Sequence, residues 1–519
     1  MCVSLGLATI RRFDSKAPAG RFKRPNCRRS LARAAAGSLQ QYLTGDRPVA
    51  RQAPKPVHQD PRRRLPAVGA ICADPAALEL GKRFGDAAVT RTVRAVLTDV
   101  RERLLSDAPL IPTVASLLDE AERRLVDTTR ETLFGVINAT GVVIHTNLGR
   151  APLAPEAVAA MTLAAGYGNL ELDLESGRRA SRHDHLEALI AGATGAATGL
   201  AVNNCAGAVV LALAALAAGT PVIVSRGEMV EIGGGYRVPD IVAQSGARLV
   251  EIGTTNRTHL RDYEQAVADH PEARVILRTH PSNYRITGFT SAPSLEALAA
   301  FAHARGLLLV EDLGGGALID LAPYGIEGEP RVQESVKAGA DLVIFSGDKL
   351  MGGPQAGIIA GPRELVETLA RHPLARALRL DKLSLAALAA TLRLYRAPSD
   401  PTLRVPVLRM LTQPGDVIRA RAEVLASMVA DIGDLKVEVI ETRSYAGGGA
   451  MPMHALPGYA LTVQTPAMNA EALARRLRTG PAPVVGRIER DRVLLDLRTV
   501  SDGELDALSA ALRRALTPG

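Results

Sequence analysis

A polar turn lies between two apolar runs in the stretch Asp341-Leu342-Val343-Ile344-Phe345-Ser346-Gly347-Asp348-Lys349-Leu350-Met351-Gly352-Gly353-Pro354-Gln355-Ala356-Gly357-Ile358-Ile359-Ala360. Residues 342–345 and 356–360 predict two core strands, and the turn between them presents Lys349. Lysine is scarce in this part of the chain, because residues 83–435 contain only three. A lysine held away from water is the nucleophile of Schiff-base enzymes. The alternative is a solvent-exposed loop lysine, which this window alone favours slightly.

A second stretch supplies an acid. Residues 307–310 predict a short apolar strand, and Asp312 follows it, ahead of three glycines. Ligands of open α/β sheets bind at the carboxyl ends of the strands, where a carboxylate can keep a pyridinium nitrogen protonated. The alternative is an ordinary turn or helix-capping aspartate, which is frequent before glycines.

A third stretch predicts a strand near residues 200–202 that turns into a helix reaching about residue 218. Asn204 is suited to cap this helix. The residues after it are small enough for a phosphate to approach the backbone N–H groups: Cys205, Ala206 and Gly207. A capped core helix is the better interpretation of this stretch alone. Phosphate cradle, ring-nitrogen acid and Schiff-base lysine together predict a pyridoxal phosphate (PLP) site, because chance rarely assembles all three.

Several longer motifs resemble one protein family. They are INATG at 137–141, HTNLGR at 145–150, SRGE at 225–228, GTTNRTH at 253–259, SGDKLMGGPQ at 346–355 and HPLARALR at 372–379. The chain resembles bacterial selenocysteine synthase, also called L-seryl-tRNA(Sec) selenium transferase, from about Arg64 to near the C-terminus. The resemblance implies an α/β protein of PLP-dependent fold type I, with a large, mainly parallel sheet domain, a small α+β C-terminal lobe and a helical N-terminal domain. Composition and spacing alone indicate only a PLP-type α/β enzyme.

The resemblance also bears on three arginines. In the family, the arginine of the NLGR stretch helps to bind the selenium donor, so Arg150 is a candidate, although an exposed arginine is most often only solubilising. Arg376 and Arg379 are three residues apart, on one face if this stretch is helical, and they match the family's anion-binding segment. Their alternative is a surface face paired with Asp381.

Two further residues complete the predicted cofactor site. Ser346, three residues before Lys349, suits a second phosphate hydrogen bond. His280 follows a predicted strand at 275–277 and is a candidate to contact the cofactor ring or to orient substrate, although a histidine there is as often structural. Cys205 and Gly207 depart from the asparagine and alanine that we expect in relatives, which leaves the detailed geometry of the cradle open.

Composition excludes several other classes of protein. The longest apolar segment, near residues 206–218, is shorter than the ~18–20 residues of a membrane span. The four cysteines have no C-x-x-C spacing, which argues against a structural zinc site or a disulfide framework and fits a reducing cytoplasm. His183 and His185 lack a third ligand at suitable spacing, so we predict no metal site.

Charge and patterning predict four segments in the 519 residues. Residues 1–66 carry 15 Lys/Arg and 3 Asp/Glu, a net charge of +12. Since the whole chain has a net charge of +8, the remaining residues together carry −4. We expect residues 1–61 to be a basic, disordered leader: a mis-assigned translation start, a species-specific extension or an RNA-attracting tail, in that order. Residues 62–134 predict a helical N-terminal domain, which in the family binds tRNA.

The remaining two segments are the catalytic body. Residues 135–397 predict the PLP-binding large domain, and residues 398–519 the small C-terminal α+β domain. Within the latter, 484–488 and 493–497 predict a hairpin, and the glycines at 445–449 predict a mobile loop.

The resemblance implies a reaction. It converts seryl-tRNA(Sec) to selenocysteinyl-tRNA(Sec) by PLP-dependent β-elimination of the serine hydroxyl and addition of selenium from selenophosphate, with Lys349 as the base. A homo-oligomer is expected, a decamer by resemblance. The alternative is a paralogous PLP-dependent lyase acting on a small amino acid or amino sugar acid phosphate without tRNA, which would have no use for the helical N-terminal domain. A non-catalytic RNA-binding protein is disfavoured because Lys349 is present.

Overall fold

A computed structural model of the chain describes residues 64–106, 111–129 and 131–517. The chain divides into two compact units, with the boundary between Glu131 and Thr132. The predicted leader, residues 1–61, lies outside the described residues. No helix in the described part of the chain is both long and apolar enough to cross a membrane.

The first unit is helical. Its helices are α1 (Val68–Cys72), α2 (Pro75–Phe84), α3 (Asp86–Ser106) and α4 (Val114–Thr129). The side chain of Asp74 caps α2 by accepting a 2.9 Å hydrogen bond from the N–H of Ala76. Apolar residues recur at three- and four-residue spacing in α3 and α4 and form the core of the unit: Val89, Val93, Val96, Leu97, Val100, Leu117, Leu118, Ala121 and Leu125.

The second unit contains two large sheets. Its strands are β1 (Ile137–Ala139), β2 (Val142–Ile144), β3 (Thr198–Val202), β4 (Pro221–Ser225), β5 (Glu231–Ile232), β6 (Tyr236–Arg237), β7 (Arg248–Ile252), β8 (Val275–Thr279), β9 (Leu308–Gly314), β10 (Leu342–Ser346), β11 (Gly357–Gly361), β12 (Lys436–Gly447), β13 (Ala450–Gln464), β14 (Val484–Glu489) and β15 (Arg492–Asp496). Its helices are α5 (Pro155–Ala164), α6 (Glu187–Thr194), α7 (Cys205–Ala217), α8 (Val238–Gln244), α9 (Leu260–Asp269), α10 (Leu295–His303), α11 (Val332–Lys337), α12 (Arg363–Arg371), α13 (Pro373–Ala377), α14 (Lys382–Arg393), α15 (Pro401–Arg404), α16 (Pro406–Thr412), α17 (Gly415–Met428), α18 (Ala470–Thr479) and α19 (Leu505–Leu516).

The seven-stranded sheet has the order β3-β11-β10-β9-β8-β4-β7. Its strands are parallel except β11, which runs antiparallel to both neighbours. Alternate residues of β10 point to opposite faces: Leu342 and Ile344 pack in one apolar cluster, and Val343 and Phe345 in another. Helices cover both faces, as predicted. The carboxyl ends of the parallel strands therefore meet at one edge, where ligands of such sheets bind.

The six-stranded sheet has the order β1-β14-β15-β13-β12-β2 and combines strands from both ends of the unit. The predicted hairpin is confirmed: β14 and β15 pair antiparallel, and Arg490 and Asp491 turn between them with φ of 50° and 57°. The predicted mobile loop at 445–449 is wrong in part. Residues 445–447 belong to β12, because Tyr445 and Gly447 pair with β2.

Candidate active site

Lys349 lies in the turn between β10 and β11 and is only 6% exposed. Backbone hydrogen bonds fix this turn, from Gly347 N–H to Ala356 O (2.9 Å) and from Leu350 N–H to Gly315 O (3.1 Å). The alternative of a solvent-exposed loop lysine is therefore wrong. Burying an amine is costly unless it has a partner, so this position calls for a chemical use.

Asp312 lies within β9 rather than after it, and it is also 6% exposed. Burial raises the pKa of the Asp312 carboxyl, and the Lys349 charge and hydrogen bonds from Cys205, Tyr236 and the Gly314 N–H counteract this. β8 lies alongside, with Thr279 opposite Asp312. The N–H of His280 donates to the carbonyl of Asp312 at 2.9 Å, so these two residues are fixed side by side at the sheet edge.

The N-terminus of α7 lies at the same edge, where β3 ends. The side chain of Asn204 caps α7 by accepting a 2.8 Å hydrogen bond from the N–H of Gly207. Among the described residues, no acceptor binds the N–H groups of Cys205 and Ala206. Helix N-termini with free N–H groups attract anions. Gly357 of β11 permits the close approach, because a Cβ there would collide with the carbonyl of Asn204.

These elements enclose a cavity of about 440 Å³. Seven of the eleven predicted site residues line it: Arg150, Asn204, Cys205, Ala206, Asp312, Ser346 and Lys349. The structure thus brings the predicted lysine, acid and helix N-terminus together. Gly207 is outside the lining, and its N–H is already used by Asn204.

His280 does not line this cavity but adjoins it through Asp312. Burial lowers the pKa of His280 from 6.5 to about 4, and the charges of Arg278 and Lys349 act in the same direction. Its imidazole is therefore neutral at physiological pH. Its Nδ1 is buried and has no hydrogen-bond partner among the described residues.

Arg150 has a left-handed backbone, with φ of 64°, directly after Gly149. Its Nη1 lies 2.9 Å from Oδ2 and 3.2 Å from Oδ1 of Asp348, the residue before Lys349. A non-glycine residue in this conformation is strained and is often found at functional sites. The ion pair thus fixes a guanidinium at the wall of the cavity, next to the lysine turn.

Arg376 and Arg379 are both exposed and lie outside the lining of this cavity. Arg376 is in α13, but α13 ends at Ala377, so the two arginines do not share one helical face. Arg379 instead forms a β-bridge with Val202, which draws its backbone out of the helix. Its guanidinium is 4.0 Å from Glu171, and Asp381 caps α14.

A larger cavity of about 630 Å³ also includes Arg150 but contains neither Lys349 nor Asp312. Two buried arginines of its wall are already paired: Arg421 with Asp502 at 2.6 Å, and Arg498 with the Met410 carbonyl at 2.7 Å. The smaller cavity is therefore the candidate active site, because it holds the buried amine and acid.

Sequence reasoning missed several residues of the cavity wall: Thr146, Ile232, Tyr236, Asn283 and Gln355. Tyr236 follows Gly233-Gly234-Gly235, and a glycine run is a turn signal. The glycine run predicts a turn, but it does not predict that the residue after the turn contacts the cavity.

Two family models and several curated relatives match this chain. The family model for L-seryl-tRNA selenium transferase matches residues 136–501, and that for the selenocysteine synthase N-terminus matches residues 62–101. The L-seryl-tRNA(Sec) selenium transferase of Hyphomonas neptunium is 49% identical over 460 residues, covering 87% of this chain and 98% of the relative. That of Moorella thermoacetica is 47% identical over 457 residues, covering 88% and 97%.

The fold also matches solved structures. D-Glucosaminate-6-phosphate ammonia-lyase aligns with a TM-score of 0.50 and 22% identity, covering 74% of this chain and 96% of that one. This likeness concerns the fold alone and confirms the predicted α/β architecture. The two family models and the identities above lead to one assignment: the chain belongs to the L-seryl-tRNA selenium transferase family.

Proposed function

We propose that this protein converts seryl-tRNA(Sec) to selenocysteinyl-tRNA(Sec), by PLP-dependent removal of the serine hydroxyl and addition of selenium from selenophosphate. The relatives that carry the name L-seryl-tRNA(Sec) selenium transferase support the overall conversion. One observation carries the chemistry: a buried lysine shares a cavity with a buried acid and a free helix N-terminus.

The residues present fit PLP. Among the described residues, Lys349 is the only lysine that lines the cavity; it would hold the aldehyde carbon, and Asp312 would pair with the ring nitrogen. The free N–H groups of Cys205 and Ala206, with the hydroxyl of Ser346, would bind the phosphate. When bound, PLP supplies an electron-withdrawing ring that makes the serine Cα–H acidic.

The side chains of this site then have distinct tasks. The amine of Lys349 accepts the proton from the serine Cα and passes it to the serine hydroxyl, which departs as water. Asp312 keeps the ring nitrogen charged throughout. Neutral His280, beside Asp312, contacts the ring or orients the substrate without adding a competing positive charge.

The anionic selenium donor needs positive partners. Arg150 is fixed at the cavity wall and offers a planar set of donors that suits a phosphate-like anion. We assign Arg376 and Arg379 to the same donor from their match to the family segment. Their exposure leaves both guanidinium groups accessible to an anion.

The remaining parts of the proposal concern organisation. We propose that residues 62–134 bind the tRNA, residues 135–397 the cofactor, and that residues 398–519 form the small C-terminal domain. We also propose that the protein is cytoplasmic, because aminoacylated tRNA is a cytoplasmic substrate. We further propose a homo-oligomer, a decamer by family resemblance.

The direct test supplies purified protein with PLP, selenophosphate and seryl-tRNA(Sec), and measures selenium in the aminoacyl-tRNA. We expect selenocysteinyl-tRNA from the wild type and none from Lys349→Ala. Lys337→Ala is the matched control, because Lys337 is an exposed lysine outside the cavity. Turnover of free phosphorylated amino sugar acids without tRNA would instead establish a lyase and contradict the proposal.

A further inference from the structure

The carboxylate of Asp312 receives a hydrogen bond on each of its two oxygens. The thiol of Cys205 lies 3.5 Å from Oδ1, and the phenol of Tyr236 lies 3.3 Å from Oδ2. The two donors come from separate elements, the first turn of α7 and strand β6. Neither contact follows from the sequence pattern that identified Asp312.

Tyr236 belongs to a small hairpin that is held in place independently of Asp312. β5 and β6 pair antiparallel, with Ile232 opposite Tyr236. The side chain of Asn283 donates to the carbonyl of Glu231 at 2.9 Å, and the N–H of Val238 donates to Val230 at 3.2 Å. The hydroxyl therefore reaches Asp312 from an anchored support.

A buried carboxylate needs such donors to remain ionised, because burial favours its protonated form. A cationic donor would serve, but it would also compete electrostatically with a pyridinium nitrogen. Burial, reinforced by the charge of Asp312, raises the pKa of both the Cys205 thiol and the Tyr236 phenol. Both groups therefore stay protonated and donate without carrying charge.

Other titratable residues lie near Asp312 in the chain or across the sheet. Lys349 lies in the β10–β11 turn, Glu311 precedes Asp312 in β9, and His280 follows β8. Lys349 is the cation among them, and in the proposed function its amine is occupied by PLP. The ring nitrogen would then be the cationic partner of Asp312, and the two neutral donors would hold the carboxylate in place opposite it.

We propose that Cys205 and Tyr236 are positioning residues that keep the carboxylate of Asp312 ionised and oriented toward the ring nitrogen of PLP. The inference rests on the proposed function, since it concerns the cofactor of that site. It assigns a task to a tyrosine that sequence reasoning missed. It also gives Cys205 a side-chain role in addition to its backbone role in the phosphate cradle.

The test measures the dissociation constant of PLP by equilibrium dialysis at a series of pH values. The variants are Tyr236→Phe, which removes only the hydroxyl, Cys205→Ala, Cys205→Ser, which retains a donor, and the double variant Tyr236→Phe/Cys205→Ala. Tyr284→Phe is the matched control. It removes another partly buried tyrosine hydroxyl, one that donates to the Gly227 carbonyl and not to Asp312.

We expect PLP to bind about ten-fold more weakly to the double variant than to the wild type. Without the donors, Asp312 takes up a proton at higher pH, so loss of binding on the acid side moves up by about one pH unit. Cys205→Ser and Tyr284→Phe should keep the wild-type midpoint. Equal midpoints in the wild type and the double variant would overturn the inference while leaving the proposed function intact. A wild type that binds no PLP would overturn both.

Discussion

The depressed pKa of His280 makes a quantitative prediction about stability. The folded protein holds this imidazole neutral down to about pH 4, whereas its ordinary pKa is 6.5. In the interval between, the unfolded chain binds a proton that the folded protein rejects. The contribution of His280 to stability is thus present above 6.5 and is lost as the pH falls toward about 4.

The size of the effect follows from the two values. Going from about pH 7.5 to about pH 5 should cost the folded protein about 2 kcal/mol at this one residue. His280→Gln removes the titrating ring while retaining a polar side chain. The difference in unfolding free energy between wild type and variant should therefore shrink by about 2 kcal/mol over this interval.

Denaturant unfolding at the two pH values, after removal of any bound cofactor, measures this difference. Other acidic and basic groups titrate equally in both proteins and cancel. If the difference in unfolding free energy between the wild type and His280→Gln is the same at both pH values, burial does not keep His280 neutral.

Four further predictions concern the same unit. Burial raises the pKa of Glu228 from 4.5 to about 7. The contribution of this carboxyl to the unfolding free energy is therefore lost as the pH rises through this range, by about 3 kcal/mol. Denaturant titrations of Glu228→Gln should not show this loss. Asn204→Ala should lower the unfolding free energy by about 1 kcal/mol through loss of the α7 cap. Asn204→Asp should keep the cap but weaken PLP binding in dialysis, because a second anion faces the phosphate; unchanged binding would contradict the cradle. Arg150→Lys should raise the KM for selenophosphate about ten-fold and leave PLP binding unchanged, because a lysine cannot form the planar paired contacts of an arginine. An unaltered KM would show that Arg150 does not bind the selenium donor.

Local pattern was enough to predict much of this site. The strand, turn and strand around Lys349 carry their own hydrophobic signal, and Asn204 precedes a helix that it caps in the structure. Parallel strand order then brings Asp312 to the same edge by a general rule of α/β sheets.

The contacts that sequence reasoning missed depend on tertiary placement. Tyr236 is 76 residues from Asp312, and a three-glycine turn does not specify where its strand will lie. Arg379 follows Arg376 at a spacing that fits one helical face, but its pairing with Val202 places it outside the helix. In both cases the deciding partner is distant in sequence, so no local pattern encodes it.

The central claim is that Lys349 is the lysine that holds PLP. Borohydride reduction of the protein with PLP, followed by proteolysis and mass spectrometry, reports which side chain carries the cofactor. We expect a single stable pyridoxyl group on the peptide that contains Lys349, and its absence after Lys349→Ala. A pyridoxyl group on any other lysine, or none at all in the wild type, would contradict it.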